Sequence, residues 1–513
     1  MKPHSGSLIF FTLCIFVLAF FVQSFNLNAE GRTWDEQFKV DTGISALNNI
    51  IQGKYTFDAW NYGVGYPTVS KYIYGYLYST DIKKIRTDLP VSPEVYQYIQ
   101  EGNYYAGIQG TTAVISPYDY TSPRLFSVFS NALTIALVFY IVALLCGELW
   151  VGVGASLILL GMPRFIAMGR LMTYESLSGM FITILFVIFL HTSKKRSFRL
   201  WWDVMYGLLL GLLLWTRYNN ISVFFVFIGW IGVWLFGNKN NNRLSGIKTL
   251  FISFITAGIL GFVLWPFLWI EFPRGIFASL AARSAWVVYP SFYHLYSLLI
   301  TTPTVFIILF AIGLFFTLRK RTHEMNYVLW WFVSTALFYI AFSCPAGGTR
   351  YIYTIYPSIA IIIGCGLKNL IPKKGLIFTI ILLGVYVLYT LISIHPYYLD
   401  YYNGIIGGVA GGDKRGFEIS WWGEGQKEAG EWLKQHAAPN AKIALYVTPR
   451  YVFPRLRKDI TVFPYDEQVE HADYIVVSKA DMPRFLKLPQ QWKKVYVVSV
   501  QDVPLVYVWM RKK

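Results

Sequence analysis

Apolar stretches recur along almost the whole chain, parted by short basic clusters, and no water-soluble fold can bury so many of them. A helix needs about 20 predominantly apolar residues to cross the hydrocarbon core of a bilayer. The first stretch, Leu8–Phe25, has no charge and follows Lys2. No small-x-small cleavage site follows it, so it reads as a retained signal anchor rather than a cleaved leader. Ten more stretches follow: Arg124–Cys146, Leu149–Phe165, Ser176–Leu190, Val204–Thr216, Ile221–Phe236, Thr249–Ile270, Pro303–Leu318, Tyr327–Ser343, Tyr353–Leu367 and Leu376–Ile394. The pair Val204–Thr216 and Ile221–Phe236 reads either as one kinked helix or as two passes meeting at Arg217-Tyr218-Asn219-Asn220.

Loop charges choose between those two. Lys194, Lys195, Arg196 and Arg199 precede the pair, and Lys239, Arg243 and Lys248 follow it. Cytoplasmic loops carry the excess of Lys and Arg, so both loops belong inside and two passes lie between them. Arg319-Lys320-Arg321 and Lys368 to Lys374 fall on the same side. The expectation is a polytopic α-helical membrane protein with about eleven transmembrane helices, N-terminus inside and C-terminus outside. Its parts would be a signal-anchor helix (1–25), an extracytoplasmic loop with interfacial helices (26–123), a ten-helix bundle (124–394) and a C-terminal domain (395–513).

Composition agrees. Charged residues make up 14% of the chain, against roughly 25% in soluble domains. The net charge of +17 lies in the clusters between spans, which fits the positive-inside pattern and not a nucleic-acid partner. Residues 396–513 differ from the rest: 17 basic and 13 acidic residues bring them to the soluble norm. A helix over Gly425–His436 and strands over Ala441–Val447, Tyr474–Ser478, Lys494–Val500 and Leu505–Met510 predict a small extracytoplasmic α/β domain. Four cysteines show no metal-ligand or disulfide spacing, and no metal cluster or nucleotide motif is visible.

Ionisable residues at membrane depth are costly and tend to be functional. Several sit at the expected outer ends of the spans. Asp35 and Glu36 stand side by side next to Trp34, where a carboxylate could act as a general base; acidic residues also simply favour helix N-termini. Arg124 opens the second span, either snorkelling or holding an anionic lipid head group. Arg170 and Glu175 read as a charged pair at the bundle mouth, with helix capping the plainer alternative for Glu175. Arg350, with Arg124 and either Arg217 or Arg283, would build a cationic pocket beside the carboxylates. The aromatic run Tyr72 to Tyr78 reads as an amphipathic helix lying on the membrane.

In order and spacing these segments resemble the GT-C glycosyltransferases of the protein O-mannosyltransferase and aminoarabinose transferase type. Trp34-Asp35-Glu36-Gln37-Phe38 is similar to that family's WDE-x-F element, and Tyr66-Pro67-Thr68-Val69-Ser70-Lys71 to its His-Pro-Pro-Leu-x-Lys segment, with Tyr for His and Thr for the second Pro. Pro123-Arg124-Leu125, Arg170 to Ser176, Tyr289 to Leu295, Arg350 to Pro357, His395 to Asn403 and Ser420-Trp421-Trp422-Gly423 resemble further family segments. The resemblance implies an inverting transferase of a bacterial or archaeal cell membrane, working on its outer face. The donor would be a polyprenyl-phosphate sugar and the acceptor a glycan, protein or lipid. It implies Asp35 as base with Glu36 and Glu175 assisting, Arg124, Arg350 and Arg170 at the donor phosphate, and Tyr66, Lys71, Tyr293 and His294 near substrate. A transporter or flippase, or a polymerase or ligase, of lipid-linked glycans is the alternative. A transporter would place broken helices and charges near the bilayer midplane.

Overall fold

The computed structural model describes residues 5–55, 68–78, 120–237, 242–273, 289–343, 347–448, 452–465, 467–482 and 491–512. Tyr66 and Arg283 lie outside them.

The helices are α1 (Ser5–Ser24), α2 (Trp34–Ile51), α3 (Thr68–Tyr78), α4 (Thr121–Cys146), α5 (Leu149–Leu160), α6 (Pro163–Arg170), α7 (Tyr174–Thr192), α8 (Leu200–Thr216), α9 (Ser222–Gly237) and α10 (Arg243–Leu264). They continue with α11 (Phe267–Glu271), α12 (Tyr293–Thr301), α13 (Thr304–Arg319), α14 (His323–Ala341), α15 (Tyr356–Leu370), α16 (Lys373–Ile394), α17 (Gly408–Lys414) and α18 (Gln426–His436). Each apolar stretch of the sequence is helical. By length and composition, six helices are long and apolar enough to cross a membrane on their own. The bent pairs α5–α6 (73°) and α12–α13 (115°) bring that to eight if each is one span. Helices α8, α14 and α15 fall short of that standard, so eleven full crossings are not established.

The bundle is organised around α4, whose sides pack on α1, α5, α7 and α15. Its buried face includes Ser127, Ser130, Asn131 and Thr134, small and polar residues that let helices approach. The Asn131 amide donates to Gln23 at 2.7 Å, and the Tyr353 hydroxyl donates back to Asn131 at 2.5 Å. Helices α13 and α15 touch backbone to backbone: a Cβ on Gly366 would lie 2.3 Å from the Gly313 Cα. The outer helices are the reverse. On α16, Phe378, Ile381, Val385, Leu388 and Ile392 are all exposed, a surface suited to lipid chains.

The chain also shows which ends of the bundle belong together. The Asn242 N–H donates to the Arg196 carbonyl at 3.0 Å, and the Lys320 ammonium to Asn369 at 2.9 Å. The basic loops before α8 and before α10 therefore meet, so α8 leaves that face and α9 returns to it. The break between them is Arg217, whose extended backbone (φ −160°, ψ 135°) separates two helices rather than kinking one.

Helices α2 and α3 pack closely; a Cβ on Gly43 would sit 2.1 Å from the Lys71 carbonyl. Helix α3 is not simply a membrane-surface anchor. Tyr74 is fully buried, bonded to Ser127 at 2.9 Å and donating to the Thr173 carbonyl at 2.5 Å. The surface reading holds for Tyr76 alone on that evidence of exposure, because only one side of an amphipathic helix can face lipid.

The C-terminal domain is a five-stranded sheet of order β2-β1-β3-β5-β4. Strand β1 (Lys442–Tyr446) pairs in parallel with β2 (Thr461–Pro464) and β3 (Tyr474–Ser478); β5 (Val503–Arg511) pairs antiparallel with β3 and β4 (Trp492–Val500). Helix α18 packs on β4 and β5. Strand β2 was not foreseen: four residues ending in Pro464 are a weak strand signal, and β2 lies at the sheet edge where proline is tolerated.

Candidate active site

The start of α2 places the two adjacent carboxylates. Thr33-Trp34-Asp35-Glu36 has the spacing of a capping box, and the Glu36 carboxylate accepts the Thr33 N–H at 2.9 Å. That turns Glu36 inward and leaves Asp35 on the neighbouring side of the first turn. Only Asp35 keeps appreciable solvent access: its side chain is 29% exposed, against 0% for Glu36 and 1% for Glu175.

Asp35 belongs to a continuous chain of charges. Its Oδ2 accepts Arg350 Nη2 at 2.7 Å, and Arg350 Nε donates to Glu175 Oε1 at 2.8 Å. Arg217 Nη1 donates to the same Glu175 oxygen. The Arg350 guanidinium lies over the Trp422 ring at 4.6 Å, and that of Arg217 over Tyr351 at 4.4 Å. Lys39, one helical turn beyond Asp35, donates to the Met172 carbonyl at 2.8 Å and faces the Tyr174 and Trp422 rings. Burial opposes the charge on Asp35, but Arg350, Lys39 and the Trp422 indole outweigh it and hold the carboxyl below its ordinary value. Burial lowers Lys39 to about 8, against the pull of Asp35, Glu175 and Glu36. Three cations thus face two carboxylates.

Two other arginines have different surroundings. Arg124 donates to both oxygens of Glu36, at 2.8 and 2.6 Å, and to the carbonyls of Gly31 and Leu27. Glu36 also accepts the Met172 N–H. Burial resists ionisation of Glu36, and Arg124 with those backbone donors reverses it, holding the carboxyl below its usual value. Arg170 binds Glu30 at 2.9 Å and the carbonyls of Gln23, Phe25 and Asn26. The Arg170–Glu175 pair expected from their spacing is therefore not formed: Arg170 closes the exit of α1, and Glu175 turns to Arg217 and Arg350. Arg124 and Arg170 are 1% exposed with their donors occupied, so neither is placed to meet a donor phosphate.

The segment after α16 returns over the site. Trp34 N–H donates to the Trp422 carbonyl at 3.3 Å, and Trp421 and Trp422 stack at 5.2 Å. Gly423 has φ +112° and presses on the Arg32 carbonyl, where a Cβ would lie 2.8 Å away. Two buried carboxylates fix this strap: Asp400 accepts the Ser420 N–H and Glu424 the Trp422 N–H, each at 2.9 Å. Burial, then each other's proximity, pushes Asp400 well above the carboxylate range; burial raises Glu424 too. Such a pair favours a shared proton.

Of the other sequence-derived candidates, Lys71 is buried on α3 and Tyr293 is half-buried at the start of α12. His294 is buried and paired with the Gly348 carbonyl at 2.8 Å, supporting the turn that carries Arg350. Lys39 was missed by sequence reading, although its i+4 spacing from Asp35 puts both on one helix face. Among the described residues, no group of three or more His, Cys, Asp or Glu side chains is placed to hold a metal ion.

No protein-family model matches the sequence, and no curated protein matches it. Solved structures do. The chain is similar to ArnT from Cupriavidus metallidurans bound to undecaprenyl phosphate, with 14% identity, a TM-score of 0.47 and 98% of each chain covered. For apo ArnT the values are 13%, 0.49 and 98% of each chain. A third is the oligosaccharyltransferase AglB from Archaeoglobus fulgidus in complex with an inhibitory peptide and a dolichol-phosphate: 10% identity, TM-score 0.46, covering 92% of this chain and 70% of that one. Both proteins are GT-C glycosyltransferases. The likeness concerns overall architecture; identities of 10–14% carry no residue's role across.

Proposed function

We propose that this chain is a membrane glycosyltransferase that moves a sugar from a polyprenyl-phosphate donor to an acceptor on the outer face of the membrane. The observation that carries the reading is the partly open carboxylate of Asp35, held by Arg350, which shares Glu175 with Arg217. The motif resemblance supplies the donor class; the geometry supplies the roles.

Orientation follows from α7. Glu175 stands at its start, and the basic cluster Lys194 to Arg199 follows its end. Nineteen residues span about 28 Å, close to the hydrocarbon thickness. With the basic cluster inside, the site lies outside.

The reaction is a single displacement. An acceptor oxygen attacks the sugar's anomeric carbon from the face opposite the phosphate, and its proton passes to Asp35. The bond from the anomeric carbon to the bridging phosphate oxygen breaks, and the polyprenyl phosphate leaves with one more negative charge than it brought. One displacement inverts the anomeric centre. Arg350 and Arg217 face that growing charge; preorganised donors of this kind are worth about 10²–10³-fold each. At rest Arg350 weakens Asp35 as a base. An arriving phosphate competes for Arg350, and burial then raises the basicity of Asp35 when the acceptor is in place. Glu36, Arg124, Glu30 and Arg170 are supports of this site, not participants in it. A flippase finds no matching feature, since these charges cluster at one end of the bundle rather than along a path through it.

The test is a purified protein offered polyprenyl-phosphate sugars in vesicles. Release of polyprenyl phosphate with a product of inverted anomeric configuration is the expected result. Movement of intact lipid-linked sugar between leaflets without its cleavage would overturn the reading.

A further inference from the structure

Arg164 stands apart from the other buried arginines. Arg124 and Arg170 each hold a glutamate. Arg164 is 5% exposed, yet its Nε and Nη2 have no hydrogen-bond partner among the described residues. The side chain opens α6 directly after Pro163, and its guanidinium lies over the Tyr402 ring at 5.0 Å. Its Nη1 packs against Gly348, where a Cβ would sit 2.9 Å away. Gly348 begins the short turn that ends in Arg350, so Arg350 and Arg164 flank one turn.

The surroundings do not neutralise it. The nearest acidic group that acts on it is Glu418, whose carboxyl accepts the Gly347 N–H and is raised by burial, toward its uncharged form. Tyr293 completes the wall, its hydroxyl accepting the Gly348 N–H. A buried guanidinium with idle donors is unfavourable unless something pairs it. Water would satisfy the donors but not the charge. The planar fork of donors matches two oxygens of a phosphate group.

The rim indicates the kind of phosphate. Tyr289, Phe292 and Tyr296, at the start of α12, are 45%, 68% and 45% exposed, and Tyr296 packs on Phe417 next to Glu418. Exposed aromatics at the end of a span mark the head-group level of a bilayer, where lipid phosphates lie.

We propose that Arg164 is the seat of a lipid phosphate, on the opposite flank of the Gly347–Arg350 turn from Asp35 and distinct from the phosphate position facing Arg350 and Arg217. The inference rests on the proposed function only in naming polyprenyl phosphate as one source; a bilayer phospholipid carries the same group.

The experiment measures lipid binding to the purified full chain by native mass spectrometry, with a polyprenyl phosphate, phosphatidylglycerol and, as the phosphate-free control, diacylglycerol. Arg164→Met is expected to weaken one or both phosphate lipids at least tenfold and leave diacylglycerol unchanged. Loss confined to polyprenyl phosphate identifies the donor lipid as occupant; loss confined to phosphatidylglycerol identifies a bilayer lipid. Unchanged affinity for both in a folded Arg164→Met protein overturns the proposal. Should that variant fail to fold, the wild type is irradiated with a phosphate lipid photoreactive at its head group. An adduct on residues 163–170 or Tyr293 supports the site, and adducts only elsewhere overturn it. Asp35→Asn separates the two readings. Transfer lost there with lipid binding unchanged in Arg164→Met sinks this inference alone; transfer retained there sinks the function alone.

Discussion

Asp35 and Glu36 are neighbours in the chain, yet they sit in opposite environments. Glu36 is sealed, with both oxygens bonded to Arg124 and two backbone N–H groups in support. Asp35 keeps 29% of its side chain exposed and is tied to Arg350, itself 13% exposed. Both are carboxylate–guanidinium pairs at similar distances, 2.6 and 2.7 Å. What separates them is whether a third molecule can reach them. A saturated, buried pair resists rearrangement because each charge depends on the other; an open pair with one guanidinium shared between two acids can exchange partners. The first kind holds α2 against α4, and the second is suited to chemistry.

The contrast can be broken by removing one cation from each pair. Arg124→Met strands Glu36 in the interior and should cost about 3–5 kcal/mol, seen as a large fall in thermal unfolding temperature in detergent. Arg350→Met should instead lower transfer by about 10²–10³-fold with a smaller loss of stability. An equal fall in stability for both would erase the distinction.

Acid sharpens it. The folded Glu36 carboxyl lies below its unfolded value of 4.5, so its contribution is fully present above that pH and is lost as pH falls through the lower folded value. Stability of Glu36→Gln should therefore depend less on pH below 4.5 than the wild type does, as followed by unfolding across a pH series. On the alkaline side, Lys39 loses its charge as pH rises through about 8, and with it the excess positive charge of the site. Transfer should decline above that pH, and Lys39→Arg should remove the decline; an unchanged pH profile would assign it to another group. The smallest effect expected is for Tyr74→Phe. It removes the hydroxyl between Ser127 and the Thr173 carbonyl and should cost about 1–3 kcal/mol of stability with little change in the pH profile.

The spans were legible in the sequence because a lipid environment imposes a length and polarity on each of them. The paired basic loops were legible for a similar reason, and the Asn242–Arg196 contact joins two of them. The site was only partly so. Asp35, Glu175 and Arg350 lie far apart in the chain but share the expected end of the bundle, and the structure brings them within hydrogen-bonding reach. Sequence could not tell which arginines would be saturated: Arg124, Arg170 and Arg350 all open or close helices, and only packing decides whose donors are already occupied. Arg217 stayed undecided because its role depends on a break between two helices. Arg164 gave no signal at all, since an idle buried donor is a property of three dimensions.

The account turns on Asp35. Asp35→Asn keeps the shape of the side chain and removes its ability to take a proton. In a purified, folded protein that still binds the donor, initial rates of sugar transfer should fall about 10²–10⁴-fold. A rate within twofold of the wild type would contradict the assignment.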